Sequence, residues 1–134
     1  MLLKGKRIFL VEDNLANRAI EQLLLEQQGA RTAIERWGTN TIESLRSFMP
    51  VDIILLDLMF PNGVTGYDIF DQIRAHNEFD NIPVIAVSAS DPSSAISRTR
   101  EQGFDGFISK PVRFDQFPKQ IAKALEGEGI WDGN

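Results

Sequence analysis

Three short runs of aliphatic and β-branched residues punctuate the chain: Ile8-Phe9-Leu10-Val11, Ile53-Ile54-Leu55-Leu56 and Val84-Ile85-Ala86-Val87. Weaker runs at Ala33-Ile34 and Phe107-Ile108 complete a set of five predicted strands. The segments between them have helical length. Ala16, Ala19, Ile20, Leu23 and Leu24 recur at the spacing of one helix face and predict a first apolar stripe, ended by Gly29. A second helix is predicted over 39–48, and a third opens after Gly66 and carries Ile69, Phe70 and Ile73. The fourth, over 93–102, has only Ala95 and Ile96 as apolar residues and stops at Gly103, so it is expected to be the least firmly packed. Phe117, Ile121 and Leu125 share a face of the last helix. Pro118 is excluded from a helix interior, which puts the start of that helix near Asp115 as its N-cap. Strand and helix alternate five times, the pattern of an α/β fold with a parallel sheet covered on both faces and right-handed crossovers. Residues 1–126 read as one domain and 127–134 as a short tail.

Composition narrows the function. A chain of 134 residues, 43% of them hydrophobic, is long enough to bury one core. Its net charge of −5 disfavours a nucleic-acid partner, which needs clustered Lys and Arg. There is no cysteine, so disulfides and thiolate metal sites are excluded. The apolar run at Ile8 is too short for a signal peptide or a membrane span, and a cytoplasmic location is expected.

In a parallel sheet every strand delivers its carboxyl end to the same edge, and ligands bind in the crevice there. After the first run come Glu12 and Asp13, after the third Asp57, after the fourth Ser88 and after the fifth Lys110. Carboxylates gathered in one crevice repel one another unless a cation lies among them. The candidate ligands are all oxygens, which selects a hard dication such as Mg²⁺. Lys110 adds a compact positive charge suited to a bound anion. Together these groups predict a phosphoryl site. Singly they have plainer readings: Glu12, Asp13 and Asn14 as the start of a helix, Asp57 as a loop-entry aspartate, Ser88 in a turn, and Lys110 as a solvated lysine.

The set Glu12-Asp13, Asp57, Ser88 and Lys110-Pro111 resembles the receiver domains of bacterial response regulators. So do the segments Val11-Glu12-Asp13-Asn14, Asp57-Leu58-Met59-Phe60-Pro61, 82–89 and 106–111. The resemblance implies a doubly wound, flavodoxin-like fold with a five-stranded parallel sheet in the order 2-1-3-4-5. It implies that Asp57 takes a phosphoryl group from a histidine kinase or histidine phosphotransfer protein. Glu12, Asp13, Asp57 and the Met59 backbone carbonyl would hold Mg²⁺, and Ser88 and Lys110 would bind phosphoryl oxygens. The family couples movement of the hydroxyl, here Ser88, to an aromatic, here Phe107, and so reshapes the face of helix four, strand five and helix five toward a downstream protein. Such a protein is not a turnover enzyme: it catalyses its own phosphorylation and slow dephosphorylation, as a monomer or a phosphorylation-dependent dimer. The Lys110-Pro111 bond is expected to be cis.

The chain departs from the family pattern in places. Between Pro61 and Gly66 it has one residue more than usual, Phe60 stands where Met is commoner, and Ser88 replaces the more frequent Thr. Met59 and Ser90, two past the acceptor and two past the hydroxyl, are expected to govern water access to the acyl phosphate. A phosphohydrolase of the haloacid dehalogenase type also uses Asp, Mg²⁺ and Lys but wants Asp-x-Asp, whereas this chain reads Asp57-Leu58-Met59. A nucleotide- or flavin-binding domain wants a glycine- or hydroxyl-rich first loop, not Glu12-Asp13-Asn14-Leu15. A receiver-like scaffold that no longer takes phosphate is the remaining alternative. The initial Met and the Trp131-containing tail fit a free-standing regulator, and a receiver cut from a longer protein fits equally.

Overall fold

A computed structural model describes residues 1–133. The strands are β1 (Arg7–Val11), β2 (Arg31–Glu35), β3 (Ile53–Leu56), β4 (Val84–Ser88), β5 (Gly106–Ser109) and β6 (Ile130–Asp132). The helices are α1 (Leu15–Gln27), α2 (Thr41–Phe48), α3 (Gly66–Arg74), α4 (Pro92–Gln102) and α5 (Phe117–Leu125). All strand pairs are parallel, in the order β2-β1-β3-β4-β5-β6. The expected doubly wound α/β architecture is present, but the sheet has six strands rather than five. The sixth lies in the predicted tail 127–134, of which Asn134 is outside the described residues. It is a three-residue strand with no apolar alternation to announce it, and it exists because β5 offers it a backbone edge.

The sheet separates two apolar layers. On one face Phe9, Ile54, Leu56, Ala86 and Phe107 meet residues of α2, α3 and α4; on the other Ile8, Leu10, Leu55 and Val87 meet α1 and α5. Central strands buried on both faces read as continuous apolar runs, which is why β1, β3 and β4 were visible in sequence. Helix α4 buries only Ala95 and Thr99, in keeping with its thin apolar content. Asp91 caps it, Pro92 sits in its first turn, and Gly103 ends it in the left-handed region at φ 108°. Helix α5 starts at Phe117, with Gln116 rather than Asp115 in the cap position and Pro118 in the first turn, where its missing N–H is harmless. Asp115 belongs instead to a turn closed by the N–H groups of Gln116 and Phe117 on the Arg113 carbonyl.

Helix α1 corrects the predicted stripe. Of its members Leu24 is buried and Ile20 packs against the core as expected, but Ala16, Ala19 and Leu23 face solvent, and Glu21 and Leu25 join the buried side. The core-facing side carries a carboxylic acid, so hydropathy alone rotates the stripe toward the alanines. Glu21 is 2% exposed and its Oε2 has no hydrogen-bond partner. Burial pushes its pKa up to about 8, with Glu12 and Asp57 adding to the rise and Lys110 opposing it.

Glu21 is therefore a protonated acid in the folded protein near neutral pH. Its folded pKa lies above the unfolded value, so between pH 4.5 and about 8 the folded state holds a proton that the unfolded chain has lost, and stability falls as pH rises. At ~1.4 kcal/mol per pKa unit the contribution is at most roughly 5 kcal/mol. Urea unfolding of the parent and of Glu21→Gln, run from pH 4.5 to 8.5, is expected to show the variant gaining on the parent steadily as pH rises.

Candidate functional site

The carboxyl edge of the sheet gathers the predicted residues. Val11 ends β1 and hands the chain to Glu12, whose N–H donates to the Glu35 carbonyl; Asp57 follows β3 and its N–H donates to the Val11 carbonyl. These two bonds bring the strand ends into one line. Ser88 closes β4, and its carbonyl accepts from the Lys110 N–H one strand away at 2.9 Å. An open cleft of about 390 Å³ results, lined by Glu12, Asp13, Asp57, Met59, Ser88 and Lys110, with Asn14, Asn17, Ala89 and Ser90 around them.

Lys110 reaches across this cleft. Its Nζ lies 2.7 Å from Glu12 Oε1 and 3.1 Å from Asp57 Oδ2, and all three side chains are under 10% exposed. Burial alone pulls the Lys110 pKa down, but the Asp57 charge and the Glu12 hydrogen bond outweigh it and the net shift is upward. Burial raises the Glu12 pKa, Asp57 repulsion adds to it, and the Lys110 hydrogen bond holds it back. One ammonium faces three carboxylates, for oxygens of Glu12, Asp13 and Asp57 all lie within 4.8 Å of one another. An all-oxygen trio at that spacing suits a hard divalent ion, and its chemistry fits Mg²⁺.

The remaining polar contacts hold these groups in place. Asp57 Oδ1 accepts from the Leu58 N–H at 2.7 Å and, more weakly, from the Met59 N–H at 3.4 Å. Glu12 Oε2 accepts from the Asn14 N–H, while Asn14 Oδ1 caps α1 through the Asn17 N–H. Of this segment Asn14 supplies the helix cap, while Glu12 and Asp13 line the cleft. Ser88 Oγ accepts from the Ser90 N–H at 3.2 Å and shares a hydrogen bond with the Ser90 hydroxyl at 3.0 Å. Phe107 does not line the cleft; it is fully buried in the layer that also holds Ala95. The Lys110–Pro111 peptide is cis, and so is Met49–Pro50.

Two residues matter here that the sequence did not single out. Gly66 starts α3 so close to the Asp57 segment that a Cβ there would lie 2.1 Å from the Asp57 carbonyl oxygen, and its N–H donates to the Leu58 carbonyl. Glu35 ends β2, an acid at a strand end like the others. Its carboxylate turns away from the cleft to accept from the Trp37 and Gly38 N–H groups and the Thr41 hydroxyl, which shapes the neighbouring loop. The signal for Glu35 was its strand-end position, but sequence does not say which way a side chain turns. The extra residue before Gly66 is absorbed in a tight turn: the Phe60 N–H donates to the Val64 carbonyl, Gly63 takes φ 84°, and Asn62 Nδ2 donates to the Trp37 carbonyl. A roomier groove of about 450 Å³ at the opposite edge of the sheet has its Arg74 and Asp105 paired at 3.6 Å, and among the described residues its acids Asp80, Asp105 and Glu128 do not converge as Glu12, Asp13 and Asp57 do.

A doubly wound parallel sheet carrying an acid trio, a hydroxyl and a lysine on its carboxyl edge defines the class. The chain belongs to the response regulator receiver domain family, whose model matches residues 8–122, and so to the proteins of two-component signalling. The polar-differentiation response regulator DivK of Brucella anthropi is 32% identical over 120 residues, which cover 90% of this chain and 96% of that protein. Among solved structures, the non-phosphorylated HemR receiver domain from Leptospira biflexa is 26% identical with a TM-score of 0.77, covering 90% of this chain and 94% of that one. A CheY-like receiver domain protein from Methanospirillum hungatei JF-1, at 21% identity and TM-score 0.78 over 90% of this chain and 94% of that one, shares the fold.

Two outcomes are expected from this geometry. Asp13→Asn removes one like charge from the trio and none of the hydrogen bonds described above, so in metal-free buffer it is expected to raise stability by ~1 kcal/mol, the size of the repulsion between two unit charges about 4 Å apart in water. Excess Mg²⁺ should close that gap in parallel urea titrations. Gly66→Ala forces a methyl into the backbone of Asp57 and Leu58 and should lower stability by ~1–3 kcal/mol in the same assay.

Proposed function

We propose that Asp57 is the phosphoacceptor of a two-component phosphorelay, taking its phosphoryl group from a phosphohistidine on a histidine kinase or histidine phosphotransfer protein. A carboxylate oxygen of Asp57 forms the new bond to phosphorus, the phosphorus–nitrogen bond breaks, and the imidazole leaves with the electron pair and gains a proton. The observation that carries this reading is the Lys110 ammonium, 3.1 Å from Asp57 Oδ2 at the mouth of an open cleft. Phosphoryl transfer needs alignment and charge neutralisation more than covalent help from the protein. Lys110 would neutralise oxygens of the transferred group, and Ser88 Oγ, which lines the cleft and is engaged with Ser90, would turn to donate to one of them.

Glu12, Asp13 and Asp57, with the Met59 backbone carbonyl, would hold Mg²⁺. When bound, the ion supplies the positive charge that offsets the acid trio and the incoming phosphoryl oxygens. The chain's own residues do the rest: Glu12 fixes Lys110 from the far side, and the Leu58 N–H holds Oδ1 so that Oδ2 faces the cleft.

Phosphorylation adds roughly −1.5 to −2 charge and new acceptor oxygens beside Ser88. Movement of that hydroxyl leaves room for Phe107, which adjoins Ala95 of α4, and the surface of α4, β5 and α5 carries the signal to a downstream protein. Phe107 has no hydroxyl and reports position by packing alone. On this reading the protein is a switch and not a turnover enzyme. Among the described residues no helix is long and apolar enough to cross a membrane.

Incubation with acetyl phosphate and Mg²⁺ followed by intact-mass measurement tests the proposal. The parent should gain one phosphoryl group, Asp57→Asn none, and chelation of the metal should abolish the gain. Lys110→Ala should slow it by about 100-fold or more. An unmodified parent beside a competent control receiver would favour the scaffold that no longer takes phosphate.

A further inference from the structure

The sixth strand lies on the same face that the phosphoryl switch is argued to reshape. Ile130–Asp132 pairs with β5, Trp131 is in register with Phe107, and both side chains belong to the layer under α4. Further contacts tie the segment to the elements on either side. The Arg100 guanidinium of α4 lies 4.8 Å over the Trp131 ring, and Gly133 runs so near α4 that a Cβ there would stand 3.1 Å from Ile96 and 3.2 Å from Pro92. Asp132 Oδ2 accepts from Arg113 and from Gln120 of α5, each at 2.6 Å. At Gly106 a Cβ would stand 2.5 Å from the Ile130 carbonyl oxygen, so the absence of a side chain there admits the strand.

We infer that β6 is a built-in strap: it covers the α4–β5–α5 face in the resting protein and is loosened by phosphorylation of Asp57, which opens the face to its protein partner. This rests on the phosphoryl-switch reading of the site. The strap is tied to both routes out of that site. Ser88 leads through Ser90 and the Asp91 cap into α4, which holds Trp131 and Gly133; Lys110 leads through Pro111 to Arg113, which holds Asp132. Its ties are many and individually modest, among them three ladder residues, one ring under a guanidinium, and a carboxylate shared between the half-exposed Arg113 and the Gln120 amide. Weakly held segments are the ones a local event displaces. Phe107 and Trp131 stand side by side on one sheet face, so a shift of the first removes packing from the second.

Coupling of this kind is reciprocal: what phosphorylation does to the strap, loss of the strap does to phosphoryl affinity. Fluoroberyllate with Mg²⁺, a noncovalent mimic of the phosphoryl group, allows both to be read at equilibrium in the full chain. Fluorine NMR titration should show Trp131→Ala/Asp132→Ala binding it between about 5- and 150-fold more tightly than the parent. Hydrogen exchange of the parent should show amides 130–132 losing protection by a matching factor when the mimic is bound. Should the double variant fail to fold, Asp132→Asn with Trp131 retained takes its place in the same titration. Equal affinities with unchanged exchange in β6 would overturn the strap while leaving the phosphoryl site standing. No binding to the parent would overturn the site reading, and the strap with it. Protection that falls on dilution would mean a second copy donates the strand, which also overturns an intramolecular strap.

Discussion

Around the Lys110 ammonium the whole carboxyl edge of the sheet is organised. Glu12 and Asp57 arrive from β1 and β3, Lys110 from β5, and the bonds of 2.7 and 3.1 Å between them join elements 98 and 53 residues apart in sequence. Buried like charges are tolerated only when something of opposite sign is close, and a single lysine leaves a trio of acids undercompensated. That imbalance is the site's chemical disposition. It leaves the cleft suited to further positive charge.

Stability and function pull against each other around this centre. Glu21, two turns into α1 behind the site, sits neutral where an aliphatic residue would pack without penalty, and its pKa feels the same carboxylates. Gly66 forgoes a side chain so that α3 can abut the backbone of Asp57. Helix α4 buries two small residues and is held otherwise by polar and ring contacts at its surface, Gln102 to Tyr67 and Asp71 of α3, Arg98 over Tyr67, and Arg100 over Trp131. The buried acid and the thin packing of α4 weaken the fold locally, whereas the glycine lets α3 and the Asp57 segment meet without a clash.

The extra strand closes the α4–β5–α5 edge of the sheet. In a five-stranded sheet β5 would present a free edge between α4 and α5; here that edge is paired with the chain's own Ile130–Asp132. Any partner of that face meets Trp131 and the Arg113–Asp132 pair first.

Much of this was legible in the sequence because it is local. A strand buried on both faces is an apolar run, and the residue after it is delivered to the carboxyl edge whatever the rest of the chain does; that alone points to Glu12, Asp13, Asp57, Ser88 and Lys110. What depends on partners distant in sequence was not legible. The buried face of α1 was legible at Ile20 and Leu24 but not at Glu21, because a core acid looks like a surface residue until its surroundings are known. Glu35 shares the strand-end position but spends its carboxylate on loop N–H groups, a matter of side-chain direction. Strand β6 has no periodicity of its own, and only the unsatisfied edge of β5 and the gap left by Gly106 turn three residues of an apparent tail into a strand. Residue type and order determined the chemistry; the tertiary structure decided which groups share a charge, which are covered, and where the sheet ends, because those are set by contacts that no local pattern encodes.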